Sequence, residues 1–245
     1  MKGGQGVSAL IKKGKRVGCF IIHEMYGNCN SQDALASYME KQDYLTYCCT
    51  PATCCESWNG ISTNVYFEWL NMAEKELAHF MNECYTVVII GYSIGGLIGI
   101  HLASKYEVDA LITINTPIFI SDFRGLIDIL RYEQSGKANS NVNRITISTL
   151  YNLFSFNRLV NQAKRKLCKL RCPILVVQSK RDKLVNWSSA YYIFENVCSY
   201  EKEIQFFPKS GHYILGDSEK GLVFIRVHQF IEKAVESKLM IEGYI

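Results

Sequence analysis

The 245-residue sequence has no apolar stretch of the ~18 residues needed to cross a bilayer. Residues 1–16 carry basic side chains but lack the apolar core and the cleavage site of a secretion signal. Only four prolines occur, and no repeat, low-complexity tract or linker divides the chain. We therefore expect a cytoplasmic protein without stable membrane insertion, built around a single α/β core.

A strong charge excess is also missing, since the formal net charge is only +4, and we expect no nucleic-acid partner. Ten cysteines are many for this length, but without a secretion signal they favour reduced thiols over disulfides. Cys48, Cys49, Cys54 and Cys55 form a C-C-x4-C-C cluster with no nearby histidine and no C-x2-C pair. Zinc sites usually contain a histidine ligand or a C-x2-C pair, and this cluster has neither. We therefore expect no metal ion, and a metal site is the minor alternative.

Short β-branched runs alternate with helix-like patterns along the chain. The predicted strands are residues 17–22, 45–49, 86–90, 110–114, 174–178 and 204–207, and the predicted helices are 34–41, 65–81, 97–104, 188–195 and a last helix from about 217. This alternation predicts a mostly parallel sheet with helices on both faces. Ligands of such sheets bind at the carboxyl ends of the strands.

Residues 118–171 interrupt this alternation, and a structureless loop of that length would be unusual in a compact domain. Helix-like spacing over 123–131 and 148–170 predicts a small helical cap, so that 1–117 and 172–245 form the core. An apolar cluster within it is either core packing or the wall of an acyl pocket: Leu150, Tyr151, Leu153, Phe154, Phe156, Leu159 and Val160. The basic run 164–166 is either a solvated face or a surface that attracts anionic lipid or substrate.

The segment 91–96 reads Gly-Tyr-Ser-Ile-Gly-Gly and directly follows the apolar stretch 86–90. Glycines on either side of Ser93 permit a sharp turn from strand to helix that lifts the serine hydroxyl clear of the backbone. Taken alone, this pattern is also compatible with an ordinary Gly-Ser turn. Two suitable partners that follow in the chain favour a catalytic nucleophile instead.

A serine hydroxyl near neutral pH needs a base, and His212 follows the last predicted strand, where it can reach Ser93. Asp182 follows the preceding strand and can orient the imidazole. Asp122 and Asp128 are rival acids at the start of the cap segment. The order serine, aspartate, histidine is that of α/β-hydrolases.

With these residues, the chain resembles the α/β-hydrolase superfamily, most nearly small bacterial carboxylesterases and monoacylglycerol lipases. The resemblance rests on residues 23–28, the segment around Ser93, the strand before Asp182, and Ser-Gly-His at 210–212. It implies the α/β-hydrolase fold with a small cap and an oxyanion hole formed by the amides of Met25 and Ile94. Glu24 stands where the family has glycine, and a carboxylate facing the hole would oppose the developing oxyanion.

The expected function is a serine carboxylesterase that hydrolyses short- to medium-chain esters, including monoacylglycerols, through an acyl-enzyme and without a cofactor. The expected partner is a small-molecule ester, contacted by Tyr92, Glu24 and Tyr26, while the oligomeric state is left open. Two alternatives remain. One is an acyltransferase or thioesterase with the same three residues, and the other is a binding protein whose oxyanion hole is spoiled by Glu24.

Overall fold

The computed structural model describes residues 16–23, 29–50, 65–127 and 147–243. Within them the strands are β1 (Val17–Ile22), β2 (Leu45–Cys49), β3 (Thr86–Tyr92), β4 (Ala110–Ile114), β5 (Ile174–Ser179) and β6 (Lys202–Phe207). The helices are α1 (Cys29–Glu40), α2 (Val65–Met81), α3 (Ile94–Ala103), α4 (Ile147–Lys166), α5 (Ser188–Asn196) and α6 (Lys220–Ile241). The predicted helix at 123–131 is described only as far as residue 127.

The strands form one sheet in the order β2-β1-β3-β4-β5-β6, and every described pair is parallel. The mostly parallel sheet expected from the sequence is thereby confirmed. The chain passes from β1 outward to β2 and then returns to β3 on the other side of β1. The direction of winding therefore reverses between β1 and β3, and such a reversal opens a crevice at the carboxyl ends of the strands.

Both faces of the sheet are buried, as the continuous apolar runs of its strands require. In β1, Phe20 and Ile22 face one apolar cluster, whereas Cys19 and Ile21 face the other. Helices α2, α3, α4 and α5 cover the first face, and α1 and α6 cover the second. None of the described helices is long and apolar enough to cross a membrane.

Helix α3 begins at Ile94, three residues before the predicted start. The prediction failed there because Gly95 and Gly96 are poor helix formers. In the structure, packing outweighs propensity, since an added Cβ on Gly95 would lie 2.3 Å from the carbonyl oxygen of Ile22 and 2.5 Å from that of His23. A Cβ on Gly96 would lie 1.9 Å from the Thr116 hydroxyl oxygen. Only glycine allows the helix to start this close to the ends of β1 and β4.

Gly95→Ala is expected to lower the free energy of unfolding by roughly 3 kcal/mol or more, because the new methyl group would meet backbone atoms that cannot rotate away. Urea unfolding of the variant and the parent protein measures the change. Gly221→Ala is the matched control, since nothing lies within 4 Å of a Cβ at that helical position. An equal stability for both variants would contradict the close packing at Gly95.

His101 lies on α3 at the contact with neighbouring helices, and its side chain is 14% exposed. Burial, reinforced by the positive charges of Lys166 and Lys105, lowers its pKa from 6.5 to about 4, although Glu74 acts in the opposite direction. The imidazole is therefore neutral in the folded protein at pH values where it is already protonated in the unfolded chain.

Between pH 6.5 and about 4, the unfolded chain binds a proton at His101 that the folded protein does not bind. The free energy of unfolding should accordingly fall as the pH falls through this window. His101→Gln is expected to reduce this loss, whereas the control variant His79→Gln, at a side chain that is 81% exposed, is expected to retain it. Urea midpoints at pH 7.5 and 4.5 test this, and an unchanged difference in the His101 variant would refute it.

Candidate active site

Ser93 lies between the end of β3 and the start of α3, at the carboxyl edge of the sheet. Its backbone has φ 52° and ψ −121°, a conformation that residues with a Cβ rarely adopt. Its N–H donates to the Ile114 carbonyl at 2.8 Å, and its own carbonyl accepts from the Gly96 N–H at 3.0 Å. These bonds hold the serine in the sharp turn that the glycine spacing predicted.

His212 follows β6 and reaches Ser93 with one nitrogen and Asp182 with the other. The His212 Nε2 atom lies 3.1 Å from the Ser93 Oγ atom, and Nδ1 lies 2.8 Å from the Asp182 Oδ2 atom. His212 is thus within hydrogen-bond reach of the two other side chains that the sequence singled out. A carboxylate without a proton can only accept, so the tautomer with the proton on Nδ1 and Nε2 accepting from the serine hydroxyl satisfies both contacts.

Asp182 has a fully buried side chain, and both of its carboxylate oxygens have partners. While Oδ2 faces His212, Oδ1 accepts from the N–H groups of Leu184 at 2.9 Å and Val185 at 2.8 Å. The carboxylate is therefore fixed in orientation by the backbone that follows it. Its Oδ2 atom is thereby kept directed at the His212 imidazole.

The strand end before Asp182 is held by aromatic rings. The Lys180 ammonium lies 3.8 Å from the ring centroid of Phe206 and 4.1 Å from that of Trp187. Its backbone N–H also donates to Phe207 at 2.8 Å. These cation–π contacts hold the start of the loop that carries Asp182 against Phe206 of β6 and against Trp187, the residue before α5.

The loop that carries His212 is anchored by two carboxylates from the segment before α6. Glu219 accepts from the N–H groups of Lys209 at 2.9 Å and Ser210 at 2.7 Å, and from the Ser210 hydroxyl at 2.7 Å. Asp217 accepts from the Gly211 N–H at 3.0 Å. Backbone N–H groups of Gly211 and Ser218 lower the pKa of Asp217, so this anchor stays charged to a lower pH than an ordinary aspartate does.

The carbonyl of His212 is a further anchor point. It accepts from the Tyr92 hydroxyl at 2.6 Å, from the Asn115 Nδ2 atom at 2.7 Å and from the Ile214 N–H at 2.9 Å. Tyr92 is buried and stacks its ring on the imidazole with centroids 5.8 Å apart. Contact of Tyr92 with a substrate stays a prediction. Neither Asn115 nor Glu219 was predicted as part of the site, although Asn115 directly follows a predicted strand and Glu219 lies in the first turn of the predicted last helix.

One of the two predicted oxyanion donors lies in the described part of the chain. Ile94 is the first residue of α3, so its N–H has no acceptor within the helix and lies at the positive end of the helix dipole. Met25, the other predicted donor, falls outside the described residues, as do Glu24 and Tyr26. The second half of the oxyanion hole and the effect of Glu24 stay predictions.

Asp122, the rival of Asp182 as the catalytic acid, bonds to the backbone of its own segment. Its Oδ1 atom accepts from the N–H groups of Arg124 and Gly125 at 3.0 Å each, as a helix-capping side chain does. Asp128 lies outside the described residues. Of the two carboxylates whose positions can be compared, Asp182 is the one that His212 contacts.

The apolar cluster of the predicted cap divides along α4. Its exposed members are Leu150, Tyr151 and Phe154. Its members packed in or against the core cluster of the sheet are Leu153, Phe156, Leu159 and Val160. The face of α4 that carries these four residues thus serves as core packing, one of the two interpretations of this cluster. The division of the chain into core and cap at 118 and 171 stays a prediction.

The cysteine cluster is described only at Cys48 and Cys49, at the end of β2, while Cys54 and Cys55 lie outside the described residues. In the described segments, no group of three or more His, Cys, Asp or Glu side chains is arranged to hold a metal ion. The sequence-based expectation on metals therefore stays an expectation.

Known proteins with similar sequences include a lipase and an esterase. The family model described as serine aminopeptidase, S33, matches residues 130–219, which include Asp182 and His212. A thermostable monoacylglycerol lipase of Bacillus sp. (strain H-257) is 25% identical over 89% of this chain and 91% of its own length. A carboxylesterase of Bacillus subtilis (strain 168) is 22% identical over 90% of this chain and 94% of its own length.

Among solved structures, that of a metagenome-derived lipolytic enzyme superposes with a TM-score of 0.69 at 19% identity, covering 89% of this chain and 94% of that one. The parallel sheet, the strand order and the strand–turn–helix around Ser93 agree with this likeness. The chain has the α/β-hydrolase fold and is similar in sequence to these lipases and esterases.

Proposed function

We propose that this protein is a serine carboxylesterase acting on short- to medium-chain carboxylic esters, including monoacylglycerols. The observation that carries the proposal is the continuous contact from the Ser93 hydroxyl through His212 to Asp182, at 3.1 Å and 2.8 Å. The carboxylesterase and the monoacylglycerol lipase named above support the substrate class, because each aligns with about nine-tenths of this chain.

In the proposed reaction, His212 Nε2 takes the proton of the Ser93 hydroxyl as its oxygen attacks the ester carbonyl carbon. The resulting oxyanion accepts hydrogen bonds from the N–H groups of Ile94 and Met25. His212 then donates the proton to the departing alcohol, which leaves an acyl group on Ser93. Water, deprotonated by the same imidazole, hydrolyses this acyl-enzyme and restores the serine.

Asp182 stabilises the imidazolium that forms in each half of the reaction, and it does so in a buried setting where the attraction is strong. Since its second oxygen is held by two backbone N–H groups, the carboxylate does not need to reorient as His212 becomes charged. This preorganisation reduces the cost of charge separation in the transition state. All the proposed chemistry uses side chains and backbone amides alone.

Ser93→Ala is expected to abolish hydrolysis of a p-nitrophenyl ester of medium chain length, because it removes the hydroxyl that lies 3.1 Å from His212 Nε2. Ser199→Ala is the control, since this serine precedes β6 and lies at the opposite edge of the sheet. Steady-state kinetics over several acyl lengths provide the measurement and also reveal the chain-length preference. Full activity in the Ser93 variant would end the assignment.

Asp182→Asn should lower kcat by about 10⁴-fold with little change in KM. The N–H groups of Leu184 and Val185 would hold the amide oxygen, so the amide NH2 would face His212 Nδ1 and favour the unproductive tautomer. Asp122→Asn is the matched control, because asparagine also caps helices well, and it should keep its activity. A loss of activity in the Asp122 variant alone would instead make Asp122 the catalytic acid.

Two alternatives are tested with the same protein. Product analysis with added alcohol or thiol acceptor distinguishes acyl transfer from hydrolysis. A fluorophosphonate probe distinguishes an active serine from a binding scaffold, because only an activated Ser93 with a working oxyanion hole reacts. Failure of the folded protein to label, followed by labelling of the Glu24→Gly variant, would favour the binding protein.

A further inference from the structure

Asn115 is the first residue after β4, and its backbone is in the left-handed region, with φ 46°. Its side chain is fully buried, and its N–H donates to the Val177 carbonyl at 2.9 Å, which extends the pairing of β4 with β5. Asparagine is among the few residues with a Cβ that tolerate this conformation. The backbone thus turns the Asn115 side chain across the ends of the neighbouring strands.

The amide of Asn115 joins the end of β5 to the histidine loop. Its Oδ1 atom accepts from the Ser179 N–H at 2.8 Å, so the oxygen side of the amide is assigned to β5. Its Nδ2 atom lies 2.7 Å from the His212 carbonyl oxygen, 3.1 Å from the Ser179 hydroxyl and 3.4 Å from the Gly211 carbonyl oxygen. The shortest of these bonds is the one to His212.

Tyr92 approaches the same carbonyl from β3, with its hydroxyl donating at 2.6 Å. The Ile214 N–H, from the histidine's own loop, also donates to this oxygen at 2.9 Å, so Tyr92 and Asn115 are the two side-chain donors and tie it to the ends of two different strands. Rotation of the His212 peptide would break both bonds at once. The peptide plane therefore fixes the direction in which the Cα–Cβ bond projects the imidazole.

We propose that Asn115 and Tyr92 form a two-donor clamp that positions the catalytic histidine through its backbone carbonyl. This inference rests on the proposed function of Ser93, His212 and Asp182. The clamp acts on the base and not on the substrate, so its loss lowers kcat and leaves KM nearly unchanged. A displacement of the imidazole by about 1 Å is enough to reduce the rate by about 100-fold.

Asn115→Asp is the principal test, because aspartate keeps the size of the side chain, tolerates the left-handed backbone and retains an acceptor for the Ser179 N–H. It replaces the amide donor by a carboxylate oxygen that repels the His212 carbonyl. We expect kcat to fall by about 10- to 100-fold with KM within about twofold of the parent value. The rate of fluorophosphonate labelling should fall by a similar factor.

Tyr92→Phe is the second variant, since it removes the other donor while leaving the ring against the imidazole. The clamp predicts a lower kcat at constant KM here too. A higher KM at constant kcat would instead show that Tyr92 contacts the substrate, and it would overturn the clamp. Thr113→Val is the control, because Thr113 is a fully buried residue of β4 whose hydroxyl has no hydrogen-bond partner among the described residues.

A readout that needs no turnover separates failure of the clamp from failure of the proposed function. The proton on His212 Nδ1, facing Asp182, should give a downfield NMR resonance that broadens or moves in Asn115→Asp and Tyr92→Phe but not in Thr113→Val. An unmoved resonance together with kcat within twofold of the parent would overturn the clamp. If the parent hydrolyses no ester, the proposed function fails, and the resonance alone decides whether the clamp holds the imidazole.

Discussion

The shared direction of the described strands is the constraint on which the site depends. Their carboxyl ends all lie at one edge of the sheet, and four residues of the site follow successive ends. Ser93 comes after β3, Asn115 after β4, Asp182 after β5 and His212 after β6. Because neighbouring strands of a sheet lie about 4.8 Å apart, side chains from four successive ends can form one hydrogen-bonded chain.

Backbone strain is concentrated at the same edge. Ser93 and Asn115 are two of the non-glycine residues with positive φ in the described structure, and both lie in the hydrogen-bonded group around His212. Such conformations cost about 1–3 kcal/mol each and persist only where the surroundings hold them. Here the sheet bonds of both residues and the close approach of Gly95 to β1 supply that restraint. The apolar core buried on both faces of the sheet offsets the free-energy cost of these two backbone conformations.

Much of this arrangement was predictable because it is local in sequence. Hydrophobic runs placed β1, β2 and β4 at their observed bounds, and the glycine pattern identified Ser93 as the residue of a strand–helix turn. Asp182 and His212 were identified because polar residues that follow buried strands must lie at the sheet edge. The early start of α3 was missed, since helix propensity says nothing about a helix terminus pressed against another strand.

The amino-acid sequence by itself determined the alternation of strands and helices, the sharp turn at Ser93 and the three residue types of the proposed catalytic group, because hydrophobic period and glycine spacing act over a few residues. Only the tertiary structure decided which carboxylate meets His212 and which donors hold its carbonyl. Asn115 and His212 are 97 positions apart, and Tyr92 and His212 are 120 apart. No local pattern encodes such pairs, since they exist only once the sheet order and register bring the strand ends together.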